Sequence, residues 1–567
     1  MKKVFFLAAL LVCSIAAQAQ RFALVDMEYI LKQIPAYEQA NQQMESLSKQ
    51  WQSEVEAKAQ EAKTMYDEYQ KNASNLSATQ KTAQENAIIA KEWPDDPTMS
   101  LDDARYSVLR YLPSETENAY GPRIVDPRSG EIMESHICWY HNVMNLLKKW
   151  YMVQCGPLDK RAQSMTFDDK LMGTLIQFVS SHEVGHTLGL RHNMAASSAT
   201  PVEKLRDKAW VEANGHTVSI MDYARFNYVA QPEDRISEKG LFPRIGVYDK
   251  WAIQWGYRYR PEFKDPYKEK DVLRAEVTKK LRGDHRLWFV GDEGKGFDPR
   301  SQSEDLGDNN MKANEYGIKN LKRVMENILT WTAQPDGEYT DLTTIYNSVR
   351  AQHLKYTLQV QKNIGGRYTN NLPDLKVHDY LPRSLQKEAV EWLGRNLFVA
   401  PLWLYPDEVV SRTGVKPVDE IRDRQSSVVA LLLAPGMLYN IYSTSLCSSE
   451  SYALDDYLND VFTAIWKPLN DPNELENNFR RQLHRTYLGF VEGMIKPSSK
   501  DGANANLAIS RSDIQLFVEQ HLDKIEESVK EQLAASKEGD LNYRHYAALL
   551  RNVQKIKEGY YGKDADV

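Results

Sequence analysis

Residues 182–192 read HEVGHTLGLRH, and this stretch constrains the fold of the chain more than any other. Apolar residues recur at three-and-four spacing just before it, which predicts an amphipathic helix packed on a core. His182 and His186 lie one turn apart on one face of such a helix, so both imidazoles can reach a single ion. Thr166, with Asp169 three residues later, fits a capping box, so we expect the helix to begin there.

The rest of the motif predicts a catalytic metal site. Gly189 can adopt a positive φ and end the helix, which turns the chain and brings His192 back as a third ligand. Three neutral imidazoles leave the fourth position of a tetrahedral Zn²⁺ open for water, the arrangement of catalytic rather than structural zinc. Glu183 lies beside the ion and can take a proton from that water. An HExxH pair alone is as well explained by chance, whereas the longer pattern is far more specific.

The pentapeptide 219–223, SIMDY, follows about thirty residues downstream and resembles the methionine turn beneath the zinc of metzincins. With the histidine motif, it makes the chain resemble a metzincin-type zinc metalloprotease. This resemblance implies that the three histidines bind zinc, that the glutamate is the general base and that Met221 floors the site. It also implies a contact of Tyr223 with the zinc or the oxyanion, although a core tyrosine packed under the turn is an equal explanation.

The N-terminus has the pattern of a secretory signal peptide. Two lysines precede the apolar run 4–17, and Ala17-Gln18-Ala19 fits a cleavage site with small residues. We therefore expect residues 1–19 to direct export. The mature protein would lie in the periplasm, in association with the outer membrane, or outside the cell.

Composition argues against two classes of partner. The net charge of -7 is small for 567 residues, and the chain has no basic stripe or nucleic-acid module, so nucleic acid is not expected. No segment after the signal peptide approaches the ~20 apolar residues that span a bilayer. The most apolar one, 428–438, is interrupted by Pro435 and Gly436, and we expect no transmembrane segment. The oligomeric state is not predicted.

Residues 20–92 differ from the rest of the chain. A short strand at 22–26 is followed by a long polar helix with coiled-coil-like apolar spacing, which on composition alone is a solvated arm. The order of strand, 34–37 and long charged helix resembles the Skp/OmpH family of periplasmic chaperones. That resemblance implies a helical hairpin returning to a trimeric body, but only the outgoing helix is recognisable here.

The composition changes abruptly at residues 92–97, EWPDDP. From Trp93 onward the chain resembles a family of large secreted zinc metalloproteases typical of Bacteroidetes. We expect a metzincin-like catalytic domain at 93–264 and one or two α-helical domains at 265–567. The fold class is then α+β, mainly α.

Three strands are predicted ahead of the catalytic helix. One spans 107–112, and 123–126 and 131–133 form a hairpin through the turn 127–130. If the metzincin layout holds, the strand after this turn is the sheet edge above the cleft, where a substrate peptide adds. An edge protected by its own glutamates is an equal alternative.

The catalytic domain has fewer elements than the resemblance requires. A metzincin upper subdomain implies a sheet of about five strands and a backing helix, whereas residues 93–166 supply about three strands and one helix. Its missing part would lie where the chaperone-like segment stands. We infer a fusion of two partial reading frames, arising by recombination or as an assembly artefact, whose upper sheet is incomplete.

The sequence thus predicts a secreted zinc-dependent endopeptidase acting on protein or peptide substrates. The alternative is a non-catalytic periplasmic protein that binds or chaperones others through its N-terminal arm, or an inactive fusion that retains a zinc site. Cleavage specificity cannot be derived, because the walls of the substrate cleft are not identifiable from one sequence.

Overall fold

The computed structural model describes residues 99–103, 106–291, 298–370, 372–373, 375–495, 509 and 512–561. The chain divides into two compact units, 1–102 and 103–567, and the second is described below. The predicted signal peptide and the predicted Skp/OmpH-like segment both lie outside the described residues.

A small four-stranded sheet opens the second unit. Its strands are β1 (Val108–Leu112), β2 (Ala119–Tyr120), β3 (Arg123–Val125) and β4 (Ile132–Tyr140). β1 pairs with β4 in parallel, whereas β2 and β3 pair with β4 antiparallel. β4 is therefore the central strand, with β1 on one side and the β2–β3 segment on the other.

The predicted hairpin is confirmed, but the prediction that the strand after its turn forms the sheet edge was wrong. β3 and β4 are joined across 126–131, where Gly130 takes the φ of 77° that the turn requires. β4 is nine residues long and mostly buried; it pairs with β3 through residues 132–135 and with β1 through residues 136–140, where β2 pairs on its other side. The edge is instead formed by β2 and β3, two short strands separated by Gly121 and Pro122, the form that protein edges commonly take.

Five helices follow the sheet and build the region around the histidine motif. They are α1 (Val143–Cys155), α2 (Asp169–Thr187), α3 (Lys208–Asn214), α4 (Glu238–Leu241) and α5 (Val247–Tyr257). α1 and α2 pack through residues that are fully buried, among them Leu147 and Tyr151 on α1 and Leu171 and Leu175 on α2. These side chains hold the motif-bearing helix against the core.

The start of α2 corrects the predicted cap. The N-cap is Asp168, whose carboxylate accepts a 2.7 Å hydrogen bond from the Leu171 amide. Thr166 lies two residues too early to reach the first turn. A carboxylate at this position also interacts favourably with the positive end of the helix dipole, which explains why the aspartate takes the place of the threonine.

The described part of the remaining chain is mostly helical. Its elements are α6 (Pro266–Gly283), α7 (Asn310–Trp331), α8 (Thr340–Gln361), the two-stranded β5 (Arg367–Thr369) and β6 (His378–Tyr380), α9 (Arg383–Leu393), α10 (Asp407–Thr413), α11 (Pro417–Leu432), α12 (Pro435–Cys447), α13 (Leu454–Ile465), α14 (Glu474–Ile495), α15 (Ile514–Ala535) and α16 (Leu541–Tyr561). One buried apolar cluster runs from Trp139 to Ile556 and includes side chains of both the motif region and these helices. The predicted class, α+β and mainly α, is confirmed.

One segment of the described chain, Pro417–Cys447, is long and apolar enough to cross a membrane by length and composition alone. It comprises α11 and α12, and the helix is interrupted at Leu433 and Ala434 before Pro435. Its fully buried apolar side chains belong to the common core: Val428, Val429, Leu432, Leu438 and Ile441. Other apolar side chains of the segment are exposed, among them Leu446 at 71%, so packing in the core accounts for part of its apolar composition.

The corrected cap can be tested by two substitutions. Asp168→Ala should lower the free energy of unfolding by about 0.5–2 kcal/mol, because the Leu171 amide loses its acceptor at the start of α2. Thr166→Ala should change it by no more than a few tenths. Urea denaturation of both variants measures the difference, and a larger effect at Thr166 would restore the capping box that the sequence suggested.

Candidate metal centre

Three histidines converge at the end of α2. His182 and His186 lie one turn apart on the helix, with ring centroids separated by 4.8 Å. The helix ends at Thr187, and Gly189 at φ 87° turns the chain back. Nε2 of His192 consequently lies 3.3 Å from Nε2 of His182 and 3.0 Å from Nε2 of His186.

The ring nitrogens facing away from this cluster fix the tautomers of the two helical histidines. Nδ1 of His182 lies 2.8 Å from the Ile220 carbonyl, and Nδ1 of His186 lies 3.0 Å from the Leu190 carbonyl. A carbonyl only accepts, so each Nδ1 carries the proton and each Nε2 presents a lone pair to the cluster.

This arrangement fits a zinc ion. The candidate ligand atoms of the three histidines all lie within 4.8 Å of one another. Zn–N bonds of about 2.0–2.1 Å in tetrahedral geometry would place the nitrogens about 3.3–3.4 Å apart, close to the two distances observed. A proton on His192 Nε2 would satisfy only one of the other two lone pairs, whereas a metal ion between the three nitrogens satisfies all of them. His182, His186 and His192 are therefore a suitable donor set for Zn²⁺.

Burial keeps the helical imidazoles neutral, as metal ligation requires. Desolvation, with the neighbouring His186, lowers the pKa of His182 to about 3. Desolvation also lowers the pKa of His186 below its ordinary value. Neither ring competes for a proton near neutral pH, so both nitrogens stay available to a metal.

Glu183 lies beside the histidines and is only 5% exposed. Burial raises the pKa of its carboxyl to about 7, while the nearby Gly121 backbone and the Arg225 charge act in the opposite direction. Its Oε2 is buried and has no hydrogen-bond partner among the described groups. A carboxylate with a free oxygen and a pKa near neutrality is suited to accept and return a proton.

The edge of the sheet lies directly over α2. The backbone of Gly121, between β2 and β3, approaches α2 so closely that a Cβ atom on this residue would lie 2.8 Å from the Glu183 carbonyl oxygen. Arg123 on β3 donates a 3.1 Å hydrogen bond to the His186 carbonyl, which also accepts a 3.0 Å bond from the Gly189 amide at the end of the helix. The strand bordering the site is thus β3 with β2, not the strand after the turn.

Met221 forms the floor of the site. It is fully buried, and its Sδ lies so close beneath α2 that a Cβ at Gly185 would overlap it. The Asn193 amide donates a 3.1 Å hydrogen bond to the Met221 carbonyl, which ties the turn to the residue after the third histidine. Tyr223 is half-buried, and its ring centroid lies 4.5 Å from that of His192. All of the sequence-predicted site residues are therefore brought together.

Comparison with protein families agrees with this site. A family model described as Met-zincin matches residues 164–473, more than half of the chain. The chain belongs to the Met-zincin family. A second model, described as outer membrane protein (OmpH-like), matches residues 21–93. The two matched families confirm the two resemblances; the OmpH-like match ends at residue 93 and the Met-zincin match begins at residue 164. No curated protein and no solved structure matches the chain.

The Met-zincin site depends on Asp249, to which the sequence analysis gave no role. Its Oδ1 accepts a 2.6 Å hydrogen bond from the Ser219 hydroxyl, and its Oδ2 accepts 2.7 Å bonds from the amides of Ile220 and Gly246. One carboxylate on α5 thereby holds both the turn and the start of its own helix. The sequence does contain a pattern that could have indicated this role. Gly246 and Asp249 are three residues apart, which places an acid at the third position of a helix, where it can bond the amide at the helix start.

A second buried carboxylate supports the same turn. Asp222 is 1% exposed, and its Oδ2 accepts a 2.9 Å hydrogen bond from the Thr217 hydroxyl. Burial raises its pKa to about 8. The carboxyl of Asp305, also buried, is close enough to interact unfavourably with it, and burial with this interaction raises the pKa of Asp305. Burial therefore raises the pKa of both carboxyls, and Asp222 is the one that bonds within the Met-zincin turn region.

The contact between α2 and the turn predicts opposite effects for two glycine substitutions on one helix. Gly185→Ala should lower the free energy of unfolding by about 1–3 kcal/mol and weaken zinc retention, because its Cβ would displace Met221. Gly173→Ala is the matched control, since a Cβ there has nothing within 4 Å and should stabilise the helix by about 0.5–1 kcal/mol. Urea denaturation and zinc analysis after dialysis measure both, and equal effects would contradict this packing.

The raised pKa of Asp222 predicts a pH-dependent effect of Asp222→Asn. A carboxyl whose folded pKa exceeds its unfolded value of 3.8 stabilises the fold in acid and loses that contribution as pH rises towards about 8. The asparagine cannot ionise, so the variant does not lose this contribution. The melting temperature of the variant should therefore rise relative to that of wild type between pH 5 and pH 8. Asp336→Asn, at an exposed position, controls for net charge. A difference that stays constant with pH would rule out this account.

Proposed function

We propose that the chain is a zinc-dependent endopeptidase that hydrolyses peptide bonds in protein or peptide substrates. One observation carries the proposal: three imidazole Nε2 atoms converge beside a buried carboxylate oxygen of Glu183 that has no partner among the described groups. Membership of the Met-zincin family and the three-histidine cluster support a zinc metallopeptidase at the coarser level.

The roles of the residues follow from their positions. His182, His186 and His192 would hold Zn²⁺ through Nε2, and the ion, when bound, would activate water and polarise the substrate carbonyl. Glu183 takes the proton of the attacking water and returns it to the leaving amine, for which a pKa near 7 is favourable. Tyr223, whose ring centroid lies 4.5 Å from that of His192, would donate its phenolic O–H to the oxyanion that forms.

The substrate peptide is proposed to lie along the β2–β3 edge. Among the described strands, none pairs with the outer side of this segment. It crosses α2 at Gly121 and Arg123, so an added strand would pass close to Glu183. Backbone hydrogen bonds to a strand edge hold a peptide extended and leave sequence preference to side-chain pockets.

The proposed location is the cell envelope or the exterior. A signal peptide at 1–19 would export the chain, and the match of 21–93 to an OmpH-like outer membrane protein supports an envelope-related protein. Fractionation of cells that express the full chain, with and without residues 2–19, would test export.

That same match favours a second candidate function, a chaperone-like binding protein or an inactive fusion that retains a zinc site. The two candidates differ in their need for zinc. A chaperone should suppress aggregation of an unfolded client in the presence of a chelator, whereas a peptidase should lose its activity.

Glu183→Gln should reduce the cleavage of an unfolded protein substrate by about 100- to 10,000-fold, because the amide cannot accept the proton of water. Zinc content should stay near one ion per chain, since the three ligands are untouched. Activity is measured with the zinc-loaded chain 20–567, with and without a chelator.

Glu131→Gln is the matched control, because this exposed glutamate lies in the turn before β4 and outside the site. It should retain wild-type activity. A folded wild-type protein that binds one zinc and cleaves nothing would refute the endopeptidase proposal and leave the chaperone-like reading.

A further inference from the structure

A cavity of about 50 Å³ opens beside the proposed zinc centre. Apolar side chains of α1 and α2 line one side of it, among them Leu146, Trp150 and Val179, and Glu183, Tyr223 and Arg225 line the other. One water needs roughly 10–15 Å³ of such space, so the cavity has room for a small side-chain group rather than a single solvent molecule. Because it shares Glu183 with the proposed site, a group held here would belong to a residue next to the scissile bond.

Arg225 is the charged residue of this cavity, and its conformation is constrained from several sides. Its backbone adopts a left-handed φ of 55°, which is uncommon for a residue with a side chain, and the buried His216 Nε2 lies 3.2 Å from its carbonyl. Its guanidinium carbon lies 3.8 Å from the ring centroid of Trp150 and 4.2 Å from that of Tyr223. The guanidinium therefore packs against both aromatic rings.

The charge of Arg225 is only partly compensated. The nearest carboxylate is that of Glu304, whose Oε1 lies 3.6 Å from Nε, beyond a good hydrogen bond. Lys355 is much closer to the same oxygen, with Nζ at 2.6 Å. Two cations thus share one carboxylate, and the lysine has the better contact.

One hydrogen-bond donor of Arg225 is also unsatisfied. Its Nε is buried and has no hydrogen-bond partner among the described residues. The side chain as a whole is only 13% exposed. A buried donor without an acceptor costs free energy, and an acceptor group of a ligand in the cavity would remove that cost.

We propose that this cavity binds a carboxylate of the substrate and that Arg225 is the residue that selects it. This inference rests on the proposed endopeptidase function. A carboxylate matches the planar fork of the guanidinium, and its short aliphatic stem would contact the apolar wall. The substrate could supply this carboxylate in two ways: from the side chain of an aspartate or glutamate beside the scissile bond, or from its own C-terminus when cleavage occurs near the end of the peptide.

If Arg225 only packs against Trp150 and Tyr223 and has a purely structural role, the expected effect of its removal is different. Its removal would then lower the cleavage of all peptides alike. Selection of a carboxylate instead predicts a loss confined to acidic substrates, which comparison of isosteric peptides can detect.

The experiment compares four zinc-loaded full-length proteins: wild type, Arg225→Met, Arg225→Lys and Arg128→Met. Arg128 is an exposed turn residue whose loss changes the net charge equally and does not touch the cavity. Cleavage sites in a random peptide mixture are first mapped by mass spectrometry. kcat/KM is then measured for peptide pairs that carry Glu or Gln at the selected position, and for pairs that end in a free acid or an amide.

Wild type should favour Glu over Gln by about ten- to a hundredfold, as a charge-assisted pair predicts. Arg225→Met should bring this ratio close to one, Arg225→Lys should keep part of it, and Arg128→Met should leave it unchanged. A preference for free acid over amide, with cleavage near the chain end, would assign the carboxylate to the C-terminus. An absent preference in wild type, or one that survives Arg225→Met, would overturn the proposal while the endopeptidase function stands.

A binding measurement separates this inference from failure of the proposed function. Fluorescence anisotropy of labelled Glu and Gln peptides on zinc-loaded Glu183→Gln requires no hydrolysis. The Glu peptide should bind at least tenfold more tightly, and the additional Arg225→Lys substitution, which keeps a cation if Arg225→Met does not fold, should reduce that difference. Equal affinities would refute the carboxylate site even if wild type cleaves nothing.

Discussion

The contact between α2 and the turn 219–223 is the constraint on which the rest of the site depends. Gly185 allows the helix to lie directly on Met221, and that closeness lets the Ile220 carbonyl accept the proton of His182 Nδ1. The same approach brings the turn to the chain segment carrying His192, through the bond from the Asn193 amide to Met221. If α2 stood further from the turn by the radius of one side chain, both His182 and His192 would be displaced. A metal site tolerates errors of only a few tenths of an ångström in the positions of its ligands.

The helical region does more than cover this arrangement. The Glu304 amide donates a 2.8 Å hydrogen bond to the Tyr223 carbonyl, and its carboxylate is shared by Arg225 and by Lys355 of α8. Tyr228, just beyond the turn, donates a 2.9 Å bond to Asn314 of α7. Asp249 thus holds the turn at Ser219 and Ile220, and the later part of the chain holds the backbone that follows Met221. The Met-zincin match extends from α2 through α13 in agreement with this shared construction.

What could be predicted from the sequence was local in the chain. The histidine spacing, the Gly189 turn and the 127–130 hairpin depend on residues within a few positions of one another, and each follows from helix or turn geometry alone. The cap was misplaced because threonine and aspartate were both suitable, and only the helix start distinguishes Asp168. The central position of β4 and the role of Arg225 depend on partners far along the chain, which periodicity does not reveal.

The sheet itself bears on how the chain arose. In the described unit β1 is an edge strand, and its outward residues Leu109 and Tyr111 are 60% and 55% exposed. Apolar side chains on a sheet face are normally covered by a helix or by a second layer. The elements that the metzincin resemblance implies before β1 would provide such cover, and in this chain the OmpH-like segment stands in their place. Among the described residues, the far edge of the sheet therefore carries exposed apolar side chains, whereas the edge over Glu183 contacts α2 through Arg123 and Gly121.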